Sequence, residues 1–207
     1  MTSWLHEERL KAVQDVVRQC GAKRVLDLGC GDGDLFVRLA VEPCIEELVG
    51  IDHCPSSLQR LKARLKEAGT PGARIEIREA SMTEPTPDLR GFDCAVLLET
   101  IEHIDPDRLS KLERALFVSM RPQTVVITTP NVEYNGLLGV PPHRMRHPDH
   151  RFEWDRAKFR HWCLRAGQVA GYEVRVEDIA GCRPAIGGAS QMAVFTRIET
   201  GSSSKAA

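Results

Sequence analysis

The chain has 207 residues, 42% of them hydrophobic and 28% charged, and a formal net charge of −1. That length supports one full core rather than two domains, and the near-neutral balance provides no global field for a polyanion, which would need a local patch. No stretch reaches the roughly 18 apolar residues of a membrane span. The N-terminus lacks a basic and apolar leader, and seven cysteines at 20, 30, 44, 54, 94, 163 and 182 contain no CxxC. Free thiols in a cytoplasmic setting are therefore expected.

Residues 4–19 place Leu5, Leu10, Val13, Val16 and Val17 at helical spacing. Residues 24–28 read as a short buried strand ended by glycines, 33–41 as helix, and 47–51 as a second strand. Residues 56–68 form a basic amphipathic helix ended by Gly69. Strands follow at 75–77 and 92–98, then a helix over 106–119 with Pro106 suited to its first turn. The β-branched run 124–128 is a fifth strand. Residues 130–152 break the rhythm with four prolines and predict a long functional loop. Helix returns over 155–168, and two final strands, 172–179 and 192–198, flank a glycine-rich link over 181–190. The alternation predicts a single-domain α/β fold over 1–198, Rossmann-like and doubly wound, with about seven strands. Residues 199–207 are expected to be a disordered tail.

The first strand runs into Asp27-Leu28-Gly29-Cys30-Gly31-Asp32-Gly33-Asp34. Glycines there let the chain turn sharply and a ligand approach the backbone. Asp52 ends the second strand, where a carboxylate accepts from the ribose hydroxyls of an adenosine. The competing cofactor is NAD, but a pyrophosphate avoids anions, and this turn carries three aspartates. The sulfonium and ammonium of S-adenosylmethionine suit an acidic surround. A purely structural glycine turn is the bland alternative. Residues 20–130 resemble the class I S-adenosylmethionine-dependent methyltransferases. The resemblance implies a mostly parallel sheet with an antiparallel last strand. It also implies a cofactor pocket of Asp27, Gly29 and Gly31 at the methionine end, Asp52 at the ribose, Ser81 and Met82 at the adenine, and backbone near Leu98.

Glu99, Glu102 and His103 stand at i, i+3 and i+4 after the apolar run 95–98, so one helical turn would bring two carboxylates and an imidazole to one face. A solvated acidic turn is the alternative. Downstream, four of the seven histidines fall between 143 and 161, and residues 143–165 hold seven Lys/Arg against three Asp/Glu. With His150, the cluster becomes a two-carboxylate, two-imidazole set suited to Mn²⁺ or Mg²⁺, with Co²⁺ or Fe²⁺ also accommodated, in an open site. A closed tetrahedral arrangement would suit zinc instead.

The segments Glu-Thr-Ile-Glu-His at 99–103, Thr-Thr-Pro-Asn-Val-Glu-Tyr-Asn at 128–135 and Asp-His-Arg-Phe-Glu-Trp at 149–154 resemble the HEN family in content and order. The resemblance implies methyl transfer to the 2′-hydroxyl of the 3′-terminal ribose of RNA, with Glu99, Glu102, His103 and His150 as catalytic metal ligands. A terminal ribose offers a vicinal diol that chelates one ion, and an internal nucleotide does not. Arg146, Arg151, His147 and Asn131 are expected at the substrate, with Arg146 and Arg151 on terminal phosphates. Trp154 is expected in the core. His147 or His143 is a candidate proton acceptor. Expected partners are an RNA 3′ end and a small-RNA or RNA-repair protein, without membrane or DNA. The alternatives are a small-molecule O-methyltransferase acting on catechol-like quinols, and a non-catalytic cofactor- or RNA-end-binding module.

Overall fold

In the computed structural model, residues 3–69, 72–84 and 87–199 are described; the expected tail lies, from residue 200 onward, outside them. Seven strands form one sheet: β1 Arg24–Leu28, β2 Glu47–Asp52, β3 Arg74–Glu79, β4 Cys94–Leu97, β5 Thr124–Pro130, β6 Tyr172–Ile179 and β7 Ser190–Arg197. Their order is β3-β2-β1-β4-β5-β7-β6. The first five pair in parallel, and β7 runs antiparallel to both β5 and β6. The expected architecture, mostly parallel with an antiparallel last strand, is the one observed.

Strands covered on both faces should read as unbroken apolar runs, and β4 and β5 are buried at every position. Alternate residues feed two cores. Leu26, Ala95, Leu97, Val125 and Ile127 join Phe117, Phe159, Trp162 and Phe195 on one face. Val25, Leu48, Val96 and Val126 join Leu10, Phe36 and Leu61 on the other. Each such buried large side chain contributes about 1.5–3 kcal/mol. On the second face lie α1 Trp4–Gln19, α2 Phe36–Ala40 and α3 Pro55–Ala68. On the first lie α4 Leu109–Glu113 and α5 Arg156–Ala170. Ser3 caps α1 by accepting from the His6 amide, and Asp155 caps α5 by accepting from the Lys158 amide.

Two helices differ from expectation. The span 33–41 shortens to Phe36–Ala40, because Gly33 (φ +87°) still belongs to the turn. The span 106–119 is helical throughout but changes pitch. A 3-10 turn at Pro106–Arg108 leads into α4, which widens to a π-helix over Arg114–Met120 and ends at left-handed Arg121. The loop 130–152 contains a 3-10 helix, Val132–Leu138, capped by Asn131.

The strand order reverses direction between β1 and β4, which opens a crevice at the carboxyl ends of the parallel strands. Asp27, Asp52 and Leu98 all lie at that edge.

Candidate active site

The glycine turn leaves an open floor at the carboxyl edge of the sheet. Gly29 has φ +82°, and a Cβ there would lie 2.4 Å from Thr100 Cγ2 and 3.1 Å from Met82 Cε, so only glycine leaves the floor open. The Gly31 amide donates to Asp52 Oδ2 at 2.9 Å and the Cys54 amide to Oδ1 at 2.8 Å. Both donors fix the carboxylate while leaving lone pairs for ribose hydroxyls. Gly29, Gly31, Asp52, Ser81 and Met82 line one cavity of about 550 Å³. Leu98 lies beside it, in a smaller adjoining space with Asp27, Gly29 and Gly31.

The three aspartates of this turn are not equivalent. Asp32 is paired with Arg60 at 2.8 Å, and Asp34 with Arg64 at 2.6 Å and His6 at 3.0 Å. The acidic surround therefore narrows to Asp27, which is 2% exposed with Oδ2 unpartnered. Burial, and secondly the nearby charge of Asp52, push its carboxyl up to about 7.

Glu99, Glu102 and His103 meet by a tighter route than an α-helical turn. Only Ile101–His103 is helical, as one 3-10 turn, and Glu99 precedes it with φ +48°. That left-handed, non-glycine backbone is held by the Glu99 amide donating to Thr128 Oγ1 at 2.9 Å. Glu102 is 1% exposed; its Oε2 accepts from Thr129 Oγ1 at 3.0 Å, and its Oε1 has no partner. Burial and the charge of Glu99 hold the Glu102 carboxyl well above the usual range. Glu99 Oε2 accepts from Arg9 at 2.5 Å and Ser190 at 3.0 Å, while its Oε1 is likewise buried and unpartnered.

The downstream loop closes onto this pair. The Arg151 amide donates to the Glu102 carbonyl at 2.7 Å, and Glu102, His103, His147 and His150 line a common cavity of about 360 Å³ with Glu99. The ring nitrogens of His103, His147 and His150 able to bind a metal lie within 4.8 Å of one another. His150 Nδ1 is hydrogen-bonded to Glu153 Oε1 at 2.6 Å, which orients the ring and leaves Nε2 for a ligand. The neighbouring imidazoles and, first, burial lower the affinity of His103 for a proton. Among the described residues this close group holds the three histidines and neither glutamate. Glu99 and Glu102 line the same cavity, each with one orphaned carboxylate oxygen, and oxygen and nitrogen donors of this kind fit a divalent cation.

Other expected substrate residues have different settings. Asn131 is fully buried; its Nδ2 donates to the Ile186 and Gly188 carbonyls, and its Oδ1 accepts from Glu133. Arg146 borders the cavity, but its nitrogens donate to Asn135 Oδ1 at 2.5 Å, Ala189 O at 2.6 Å and Asn131 O. Both residues pin the loop to β5 and to the link before β7. Arg151 is exposed and pairs with Asp105 at 3.3 Å. Trp154 is in the core, stacked on Phe152 at 4.3 Å. Sequence reading missed His6, Arg9, Ser190, Thr129 and Glu153. The only signal for the first two was their i, i+3 spacing on α1, which alone reads as an ordinary polar face.

The family profile described as "Methyltransferase domain" matches residues 25–123. The chain is 36% identical over 205 residues to the small RNA 2′-O-methyltransferase of Gallus gallus, covering 93% of this chain and 54% of that protein. It thus spans about half the length of the vertebrate relative. Among solved structures, it is 37% identical to the methyltransferase domain of bacterial CtHen1-CN (TM-score 0.83), covering 93% of this chain and 99% of that one. It is 28% identical to the small RNA methyltransferase HEN1 (TM-score 0.87), covering 96% of this chain and 26% of that one.

Proposed function

The chain belongs to the Hen1 methyltransferase family, and from that premise we propose that it transfers a methyl group from S-adenosylmethionine to the 2′-hydroxyl at the 3′ end of small RNA. The observation that carries this reading is a shared wall. Glu99 and His103 line both the cavity floored by Gly29 and Asp52 and the cavity lined by Glu102, His147 and His150. A donor seated in the first meets an acceptor seated in the second across those two side chains, and proximity of that kind supplies several kcal/mol, on the order of 7–11 at its upper range.

The roles follow from the atoms available. Asp52 accepts from the cofactor ribose, and the unpartnered Asp27 Oδ2 faces its cationic end. Glu99, Glu102, His103 and His150 would hold one divalent cation, manganese or magnesium. When bound, such an ion supplies the positive charge that acidifies a ribose hydroxyl. His147 shares the cavity, half exposed, and takes the hydroxyl proton on Nδ1 once the Asp149 amide that donates to it at 3.2 Å is released. In this reading the exposed Arg151, whose amide is anchored on the Glu102 carbonyl, receives a terminal phosphate. A small-RNA or repair-pathway partner supplies the grip on the RNA body in this reading. The reading also places the protein in the cytoplasm, where its seven free cysteines stay reduced. No described helix is long and apolar enough to cross a membrane.

The test is methyl transfer from labelled cofactor to a short synthetic RNA, with and without EDTA, followed by periodate oxidation. Labelled, periodate-resistant RNA is expected only without EDTA. RNAs ending in 2′-deoxyribose or a 3′-phosphate should stay unlabelled; equal labelling of those ends would refute the reading.

A further inference from the structure

Beside the two glutamates stands a donor set made of nitrogen alone. The rings of His103, His147 and His150 approach with centroids 4.9, 5.6 and 5.9 Å apart, and their ligand-capable nitrogens fall within 4.8 Å of one another. One of the rings is backed by a carboxylate: Glu153 Oε1 lies 2.6 Å from Nδ1 of His150, whereas Nδ1 of His147 accepts from the Asp149 amide at 3.2 Å. A carboxylate behind Nδ1 orients an imidazole and raises the basicity of Nε2. Neither glutamate belongs to that 4.8 Å group, and each has only Oε1 unpartnered. Glu99 Oε2 is shared by Arg9 and Ser190, and Glu102 Oε2 is taken by Thr129.

We propose that His147 joins His103 and His150 in a three-imidazole site that captures zinc, in competition with the carboxylate-containing set that holds the activating cation. The inference rests on the reading that this cavity binds a divalent ion, and it adds a ligand and a selectivity to it. Zinc accepts three protein nitrogens and a water in tetrahedral geometry and needs no carboxylate. Manganese and magnesium favour oxygen donors and six-fold coordination, so they depend on Glu99 and Glu102. Imidazole sites bind zinc more tightly than manganese. Zinc capture also engages the ring placed to accept the substrate proton, so the zinc form is inhibited while its cofactor cavity stays open.

The experiment uses the metal-stripped full chain. Zinc affinity is measured by competition with a chromophoric chelator, cobalt geometry by visible absorption, and manganese affinity by electron paramagnetic resonance of the free ion. The proteins compared are the unaltered chain, His147→Ala, His147→Gln and Glu102→Gln. Both His147 variants should lose zinc affinity by about tenfold or more, together with the strong absorption of tetrahedral cobalt, and keep manganese affinity within about twofold. Glu102→Gln should show the opposite pattern. Zinc and cobalt binding unchanged in the His147 variants, or zinc and manganese affinity lost in parallel, would overturn the proposal. Methyl transfer with manganese is scored separately. Its absence in the unaltered chain would sink the functional reading and leave the zinc measurement standing.

Discussion

Arg9 on the first helix donates from Nη1 to Glu99 Oε2 at 2.5 Å across 90 positions of sequence, and both side chains are 17% exposed. One guanidinium thereby answers half of a carboxylate whose other oxygen, Glu99 Oε1, is left buried without a partner. The pair ties α1 to the turn after β4. Arg9→Leu should destabilise the fold by about 2 kcal/mol, less than a fully buried pair because water still reaches it. In a double-mutant cycle with Glu99→Gln, the coupling should be about 1–2 kcal/mol. Urea denaturation of the four proteins measures it; additive effects would show that the contact carries no net energy.

Glu102→Gln should separate stability from activity. The residue is buried beside another acid, and both effects disfavour its charge. The amide keeps the shape and the Thr129 contact without the charge. Without added metal, the variant should match or exceed the parent by about 1 kcal/mol in thermal unfolding. Methyl transfer should be abolished, with cofactor binding retained. A variant that is both inactive and unstable would show that the carboxylate serves the fold.

Asp27 gives cofactor binding a pH dependence. Its carboxyl is pushed up to about 7, first by burial and then by Asp52, whereas in the unfolded chain it titrates near about 4. Between those values the folded, ligand-free protein holds the extra proton, so this group makes stability fall as pH rises from about 4 to about 7. Cationic cofactor favours the ionised form, so affinity should rise with pH through about 7. Calorimetric titration at several pH values checks this, and Asp27→Asn should flatten the profile and weaken binding.

Gly29→Ala tests the cofactor floor. The new methyl would sit 2.4 Å from Thr100 Cγ2 on a backbone with φ +82°. The strain is on the order of 1–3 kcal/mol, and the methyl enters the space assigned to the cofactor. Cofactor affinity should fall by about tenfold or more with the circular dichroism spectrum unchanged. Undiminished affinity would place the cofactor elsewhere.

The sheet was legible because its signals are local. Buried parallel strands need continuous apolar runs, and the glycine turn and Asp52 announce the cofactor edge by spacing alone. Gathering Glu99, Glu102, His103 and His150 into one cavity was also legible, though by resemblance rather than by the helical face first assumed; the real turn is a 3-10 turn entered through a left-handed Glu99. The pitch change at Arg114 was not legible, since an apolar stripe reads alike in either helix.

Composition and periodicity thus determined which residues are apolar, where strands end and which chemical groups the chain carries. Tertiary structure alone decided which of those groups remain available. Asp32 and Asp34 are neutralised by Arg60 and Arg64, Arg146 and Asn131 are spent on backbone carbonyls, and His6 and Arg9 arrive from a helix far away in sequence. The reason is that a polar side chain's role depends on which partners burial forces upon it, and those partners are set by packing across the sheet rather than by neighbours along the chain.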